Sequence, residues 1–412
     1  MKQLTIISMA AFALLAFASC SDDGGYTVTN RPVPPLIKID LTETERGQVK
    51  ANNDFAFNLS RQVKGQSKKG NYLISPLSAT YVLAMLENGS ANETQRQILS
   101  ALHYDDETSM NTVCNKLIAG ASKIDASTEV NIANGLFMDK SFPWKSEYVK
   151  SVQKVFGAEV KNMDFGNPQA VIHEVNGWSN EKTKGKIPRV IDINNVSPST
   201  KLMALNAIYF KGIWQIEFDR KKTSKQSFTH ADGKKDKVEM MQAKDNYLYG
   251  SFPKFDMLHL SYGNNGYSME VLLPKEGVTT EEVLGSIKSA DWQETMMAMR
   301  VYQVDVRLPK FTIEYSIDMP SVLTALGMKD MFDRNKADFS RLSDVKTVLS
   351  LFRQKCTIDV NEKGTVVTTT TISSVEETSN YVPKVEFHAD RPFIYIITEN
   401  TSGSIYFVGT FQ

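Results

Sequence analysis

Residues 364–375 read GTVVTTTTISSV, a stretch of five threonines, three valines and one isoleucine that carries no charge. β-Branched side chains without charge or proline are typical of a segment that pairs as a strand. However, neither face of such a strand would be strongly apolar, as a half-buried strand requires. Two interpretations follow. The segment is an ordinary strand or threonine-rich surface loop, or it is a strand held out of its sheet that enters when released.

The chain around this stretch predicts an α+β domain. Helical spacing begins at Thr42, where Glu45 completes a capping box, and helical stretches continue to about Asp192. From Lys201 onward strand-like runs dominate, at residues 202–210, 267–274, 302–311, 393–399 and 405–411. We find no internal repeat and no linker after residue 41. We therefore predict one large domain whose helices precede most of its strands.

Composition and motifs argue against several classes of function. The chain has 47 Lys plus Arg and 47 Asp plus Glu, so it lacks the positive surplus that nucleic-acid binding needs. Its five histidines have no metal-ligand spacing, and it contains no CxxC pair, GxSxG elbow, GxxxxGK[ST] loop or GxGxxG turn. We expect no enzyme, no metal and no cofactor. Cys114 and Cys356 form no disulfide framework and are interpreted as small buried side chains.

The N-terminus indicates export. Lys2 precedes an apolar stretch of 15 residues, 4–18, which suits a signal peptide better than a membrane span. It ends in Ala-Ser-Cys20, which resembles the lipobox of bacterial lipoproteins, and the Ser-Asp-Asp-Gly-Gly that follows resembles an outer-membrane sorting tag. This implies a signal peptide at 1–19, a lipidated Cys20 with a tether at 20–41, and a location on the outer membrane, with exposure at the cell surface left open. The alternative is a plain secretory signal that contains a cysteine.

Seven segments of the chain, in order, resemble the serpins, a family of loop-insertion protease inhibitors. They are NDFA (53–56), ISPLS (74–78), VNGW (175–178), TKGKI (183–187), NAIYFKGIW (206–214), EKGT (362–365) and DRPFIYIITENTSGSIYFVGTF (390–411). The resemblance implies a serpin fold over residues 42–412, a single monomeric domain of helices around three β-sheets. Its exposed reactive loop would span about residues 362–386, near the C-terminus.

The resemblance also implies where the loop enters the main sheet. The hinge would comprise Glu362, Lys363, Gly364, Thr365, Val366, Val367, Thr368 and Thr369. Because side chains alternate along a strand, the interior positions would be Thr365, Val367, Thr369, Thr371 and Ser373, none of them charged or proline. The family hinge is usually alanine-rich, so this Val/Thr-rich hinge favours the inserted strand but adds bulk that could slow insertion. We predict an inhibitor; the alternative is a non-inhibitory serpin that acts as a surface binding module.

The shutter, where the sheet parts, is implied at Ser75, Ser78 and Asn206. The simpler interpretation of these residues is helix capping and a buried polar bond. Gln354 occupies a position that in the family usually holds histidine. Glutamine can still donate and accept hydrogen bonds, but it cannot make the site sensitive to pH.

The loop also implies a bait for a protease. Counting along the family pattern places the scissile bond at Thr378–Ser379, with Glu377 and Tyr381 as alternative baits. A threonine bait suits elastase-like, subtilisin-like or papain-like enzymes.

The implied mechanism is a suicide trap in which the cleaved loop inserts while the protease is held as an acyl-enzyme. Lysines at 221–225 and 234–237 are interpreted as solvated surface and not as a polyanion site.

Overall fold

A computed structural model of the 412-residue chain describes residues 35–66, 70–365 and 382–412. The helices in this part are α1 (Glu43–Gln66), α2 (Pro76–Gly89), α3 (Asn92–Leu102), α4 (Glu107–Ala121), α5 (Ser146–Phe156), α6 (Pro168–Lys182), α7 (Thr280–Ser286), α8 (Ser289–Ala298) and α9 (Pro320–Ala325). The strands before residue 252 are β1 (Tyr72–Ile74), β2 (Glu129–Asp139), β3 (Glu159–Met163), β4 (Leu202–Ile213), β5 (Ser224–Thr229) and β6 (Lys235–Ser251). Those after it are β7 (Phe255–Tyr262), β8 (Tyr267–Pro274), β9 (Arg300–Pro309), β10 (Phe311–Asp318), β11 (Arg353–Asn361), β12 (Gly364–Thr365), β13 (Lys384–His388), β14 (Phe393–Glu399) and β15 (Ile405–Phe411).

The predicted start of the first helix is confirmed. The backbone N–H of Thr42 donates to Glu45 Oε2 at 2.7 Å, and that of Glu45 donates to Thr42 Oγ1 at 3.2 Å. This reciprocal capping satisfies amides that have no partner within the helix. Helical stretches do dominate up to α6, and the strands β1, β2 and β3, which were not predicted, lie among them. Strand β2 is held by its long antiparallel ladder with β4, a non-local interaction.

Helix α2 lies at the centre of the molecule and all of its residues are buried. Ser75 caps it by accepting from the Ser78 amide at 3.2 Å, and Pro76 takes the first turn, where no N–H needs a partner. The helix packs against β4 on one side and β15 on the other. A helix surrounded by apolar neighbours on every side is what its nearly continuous apolar sequence requires.

Three sheets surround this helix. The main sheet has the strand order β10-β11-β12-β4-β2-β3. The other strands form one hydrogen-bonded path, β1-β15-β14-β8-β7-β6-β9-β13, with β5 also on β6. The long strand β6 pairs with β5 and β9 over most of its length but with β7 only near its end, so it belongs to two sheets. The predicted single α+β domain with three sheets is confirmed.

The main sheet separates two apolar clusters. The larger cluster includes α2, and the smaller one lies under α6, where Trp178 packs edge-on against Phe137 of β2 at a ring distance of 5.4 Å. Both predicted buried cysteines, Cys114 and Cys356, are buried and free. Burial raises the pKa of the Cys356 thiol to about 12, so it stays protonated at neutral pH. Across the described ranges, no helix is both long and apolar enough to cross a bilayer.

Candidate functional site: the opening of the main sheet

The hinge begins as a two-residue strand inside the main sheet. Strand β12 lies between β11 and β4 and is antiparallel to both. Gly364 pairs with Asn361 and Ile213, and Thr365 pairs with Val360 and Gly212. The first two loop residues that were predicted to insert are therefore already seated between the strands that insertion would separate.

Glycine is required at residue 364 for two reasons. Its φ is +138°, a backbone conformation that side chains rarely adopt, and a Cβ there would lie 2.1 Å from the carbonyl oxygen of Gly212. The sharp turn from Glu362 and Lys363 into β12 uses this conformation. Residue 364 therefore needs both a specific backbone angle and a close approach to β4.

Thr365 is held by an aromatic pair. It is 2% exposed, and its Oγ1 lies 2.8 Å from the hydroxyl of Tyr262, the last residue of β7. The Tyr262 ring stacks on Trp214 at 4.4 Å with an interplanar angle of 11°. The Trp214 indole donates to the carbonyl oxygen of Asn361 at 2.9 Å. A Cβ at Gly212 would meet the Tyr262 ring at 2.5 Å, so that glycine makes room for the pair.

Glu362 anchors the turn before β12. Its carboxylate is 3.2 Å from Lys310 Nζ and accepts from Thr223 Oγ1 at 3.0 Å, and its carbonyl oxygen accepts from the Phe218 amide at 2.9 Å. Burial on its own would raise the pKa of Glu362. Hydrogen bonds from its own amide, Lys310 and Thr223, together with the charge of Lys310, outweigh burial and lower that pKa.

The predicted shutter residues are brought together in two branches around the cap of α2. In the first branch, the Gln354 amide of β11 accepts from the Ser75 N–H at 2.9 Å and donates to the Ser75 carbonyl at 2.8 Å. In the second, Ser78 Oγ donates to Asn206 Oδ1 of β4 at 2.6 Å. The side chain of Gln354 therefore binds backbone and holds β11, whereas that of Asn206 holds β4.

The second branch extends through a residue that sequence reasoning missed. Asn206 Nδ2 donates to Asn134 Oδ1 at 2.6 Å, and Asn134 donates to the carbonyl oxygen of Phe156 at the end of α5. Asn134 lies on β2 and is buried. Nothing in its local sequence distinguishes it, because its role depends on the β2–β4 register that places it opposite Asn206. Tyr262 was also missed, because its role depends on the long-range contact between the end of β7 and Thr365.

The far end of the loop is also tied to the body of the protein. The amide of Gln303 on β9 donates to the carbonyl oxygen of Pro383 at 2.9 Å, and β13 then runs parallel to β9.

Several predicted site residues lie outside the described residues: Cys20, Val366, Val367, Thr368, Thr369, Glu377, Thr378, Ser379 and Tyr381.

The one buried histidine of the described residues, His259, serves the structure. Nδ1 of His259 lies 3.0 Å from Glu270 and Nε2 lies 3.2 Å from Asn265, and both members of the His259–Glu270 pair are buried. Burial lowers the pKa of His259, but its hydrogen bond and charge interaction with Glu270 outweigh burial and raise it. Within residues 35–66, 70–365 and 382–412, no three His, Cys, Asp or Glu side chains are grouped so that they could hold a metal. The side chains at the sheet opening make hydrogen bonds to each other and to the backbone.

Comparison with known proteins assigns the family. A sequence model described as "Serpin (serine protease inhibitor)" matches residues 50–412. The leukocyte elastase inhibitor of Equus caballus is 33% identical over 375 residues, which cover 88% of this chain and 98% of that protein. The crystal structure of maspin has a TM-score of 0.83 at 25% identity and covers 90% of this chain and 99% of its own.

A structure of human thyroxine-binding globulin with its ligand has a TM-score of 0.80 at 28% identity, with 89% and 98% coverage. The geometry of the sheet opening, the seated hinge and the similarities to known proteins all indicate the same family. The chain belongs to the serpin family of protease inhibitors.

Proposed function

We propose that this chain is a suicide-type inhibitor that traps a serine protease, or a cysteine protease, as a covalent acyl-enzyme by inserting its cleaved loop into the main sheet. Membership of the serpin family and the similarity to elastase inhibitors support protease inhibition as the general function. The seated hinge is the observation that carries the more specific mechanism.

The two ladders that hold Thr365 set the register for further insertion. Nine residues beyond Thr365, Ser374 would face Met203 on β4 and also Leu351, just ahead of β11. Met203 and Leu351 form a parallel bridge with each other. Both ladders therefore reach the same point from the hinge, and insertion to Ser374 would part this bridge.

The same register supports the predicted interior positions. Thr365 is buried, and every second residue after it would share its face of the sheet. Continuing the count, Thr371 would lie between Asn206 on β4 and Gln354 on β11. Its hydroxyl could hydrogen-bond to either shutter amide, so a threonine at that position suits the inserted state.

In the proposed trap, the protease cleaves the peptide bond first and the loop inserts afterwards. The protease nucleophile attacks the carbonyl carbon of Thr378, the bond to the nitrogen of Ser379 breaks, and that nitrogen leaves as an amine with one added proton. The loop then inserts, and an inserted strand of about 14 residues at roughly 3.3 Å each would carry the acyl-enzyme about 45 Å. The inhibitor supplies no catalytic group; the free energy comes from completing the sheet.

We place this trap on the outer membrane of a bacterium. The proposal rests on the lipobox-like sequence ending in Cys20 and on the tether at residues 20–41. The inhibitor would protect the cell surface from elastase-like, subtilisin-like or papain-like proteases. An elastase-like target has additional support from the names of the relatives. Labelling of the expressed protein with a radioactive fatty acid, lost in Cys20→Ala, tests the anchor.

The mechanism is tested by mixing the purified full-length chain with elastase-like, subtilisin-like, trypsin-like and papain-like proteases. We expect a covalent band on a denaturing gel with at least one of them, and cleavage at Thr378–Ser379 by mass spectrometry. Cleavage of the loop without a covalent band for every class would overturn the proposal.

A second candidate function is a non-inhibitory binding module. It is favoured by the Val/Thr-rich hinge and by the likeness to a structure of thyroxine-binding globulin that contains thyroxine. In that case cleavage within residues 365–379 would leave the melting temperature unchanged, whereas insertion predicts a large rise.

A further inference from the structure

A cavity of about 220 Å³ opens next to the hinge but is not used by the trapping mechanism. Residues 214–216, β6 residues 246–248 and β7 residues 259–261 line its walls. Val301 of β9 lies at its rim. The cavity is thus bounded by the segment that carries Trp214 and by three strands.

The rim of this cavity is apolar and exposed. Leu248 pairs directly with Val301 on β9 and with His259 on β7, so the three side chains share one face of the sheet. Val301 is 53% exposed and Leu248 is 36% exposed. Among the large apolar side chains that are exposed in the described part of the chain, this is the one pair of direct cross-strand neighbours.

His259, the inner member of the cross-strand set Val301–Leu248–His259, is held rigidly. His259 is 6% exposed and its ring nitrogens contact Glu270 and Asn265. Glu270 accepts a further hydrogen bond from Thr398 on β14. Because these partners hold the imidazole in place, the cavity is formed before any ligand arrives and little ordering free energy is lost on binding.

The cavity lies between the two attachments of the reactive loop. On one side the amide of Trp214, which lines the cavity, donates to the carbonyl oxygen of Lys363 at 3.0 Å. On the other side, the amide of Gln303 binds Pro383, and Gln303 is two residues from Val301 on the same strand and face. The proposed bait Thr378 lies five residues before Pro383, which at roughly 3.3 Å per residue is about 17 Å along the chain, so a protease bound there would come close to this surface.

We propose that the Leu248–Val301 rim and its cavity are a docking surface for the target protease, which inserts an apolar side chain from the edge of its active-site cleft. The inference rests on the proposed inhibitory function and adds a second contact beyond the bait. An apolar side chain in a preformed pocket is the kind of contact that dominates binding energy in protein interfaces.

The test compares a double variant, L248T/V301T, with a control variant, V345T. Threonine keeps the β-branched shape of valine in the strands but adds a hydroxyl. Val345 is 49% exposed and lies in the segment that precedes β11, so V345T makes the same change as V301T at an exposed site outside the rim. The probe is leukocyte elastase, used both as active enzyme and with its catalytic serine replaced by alanine.

We expect L248T/V301T to form the covalent complex about tenfold more slowly, which corresponds to about 1.4 kcal/mol. The inactive enzyme should bind this variant about tenfold more weakly, while V345T stays within about twofold of the wild type for both readouts. Thermal unfolding of the intact and loop-cleaved forms checks that both variants fold and still insert.

The outcomes separate the two proposals. Equal association rates and equal affinities for wild type and L248T/V301T would overturn the docking surface and leave the trap intact. Binding of the inactive enzyme through the rim without covalent complex formation would support the surface and overturn the trap. If the wild type neither traps nor binds this protease, or if the rim variants instead abolish self-association in sedimentation experiments, the docking proposal is overturned.

Discussion

The hydroxyl of Tyr262 lies 2.8 Å from Oγ1 of Thr365, and through this contact the end of β7 holds the first buried residue of the hinge. Tyr262 is in turn stacked on Trp214, which hydrogen-bonds to the residue that ends β11. The hinge is therefore fastened to two sheets at once. Weakening the Tyr262–Thr365 contact should therefore destabilise the seated hinge more than the rest of the fold.

A double-mutant cycle measures this contact. Tyr262→Phe removes the hydroxyl but keeps the ring stack on Trp214, and Thr365→Val removes the other hydroxyl. Because each single change leaves a buried hydroxyl without its partner, we expect each to cost about 1–3 kcal/mol and the double variant to cost less than the sum. Urea unfolding of the four proteins gives the coupling. Additive costs would show that the two hydroxyls do not interact.

A charge at residue 365 should convert the inhibitor into a substrate. Thr365→Arg places a guanidinium in a position that is 2% exposed and has no acidic partner in its ladders, so seating the hinge becomes costly. We expect the yield of covalent complex to fall more than tenfold, with cleaved chain as the product. Thr365→Ser keeps the hydroxyl and serves as the control. An unchanged yield for Thr365→Arg would contradict insertion from this point.

Gly364→Ala should disturb the hinge more than an ordinary left-handed glycine would. The new Cβ meets backbone at 2.1 Å and also requires a φ of +138°. Gly327 has a positive φ of +96° but open space around it, so Gly327→Ala isolates the cost of the backbone angle. That cost is about 1–3 kcal/mol, and we expect Gly364→Ala to exceed it. Equal losses of unfolding free energy would mean that the close approach to Gly212 does not matter.

The ion pair of Glu362 should make stability depend on acid. Because the pKa of Glu362 in the folded protein is below its ordinary value, its carboxylate stabilises the fold above about pH 4.3, and this contribution is lost as the pH falls through the lowered pKa. Glu362→Gln should therefore lose about 1 kcal/mol at pH 7 and less at pH 3.5.

Denaturant unfolding at these two pH values checks the prediction for Glu362. Glu314→Gln, at an exposed site on β10, is the control. A loss for Glu362→Gln that is the same at both pH values would contradict a role for the charged form.

Gln354→His should introduce a pH dependence that the wild type lacks at this site. The glutamine amide both accepts from and donates to the Ser75 backbone, whereas a protonated imidazole has no acceptor for the Ser75 N–H. Burial also disfavours its charged form, so the pKa of the new histidine falls on folding and stability rises with pH through about 6–7. Melting temperatures between pH 5 and 8 provide the measurement. Parallel curves for wild type and Gln354→His would contradict it.

Much of the fold was predictable because its signals are local. The capping box at Thr42, the Ser75-Pro76 start of α2 and the apolar runs of the late strands are set by neighbouring residues. The uncharged β-branched run after Gly364 could also be recognised from its local composition. Physical chemistry alone left the run open between an ordinary strand and a strand held out of its sheet, and the ordered resemblance to serpins decided in favour of the second.

The amino-acid sequence by itself thus determined the family, the α+β class and the position of the hinge. Only the tertiary structure decided that Thr365 is already seated, that Gln354 binds the Ser75 backbone and not Asn206, and that Tyr262, Trp214 and Asn134 complete the site. These contacts join residues that are tens to hundreds of positions apart. They arise from strand register and sheet packing, for which no neighbouring residue carries a signal.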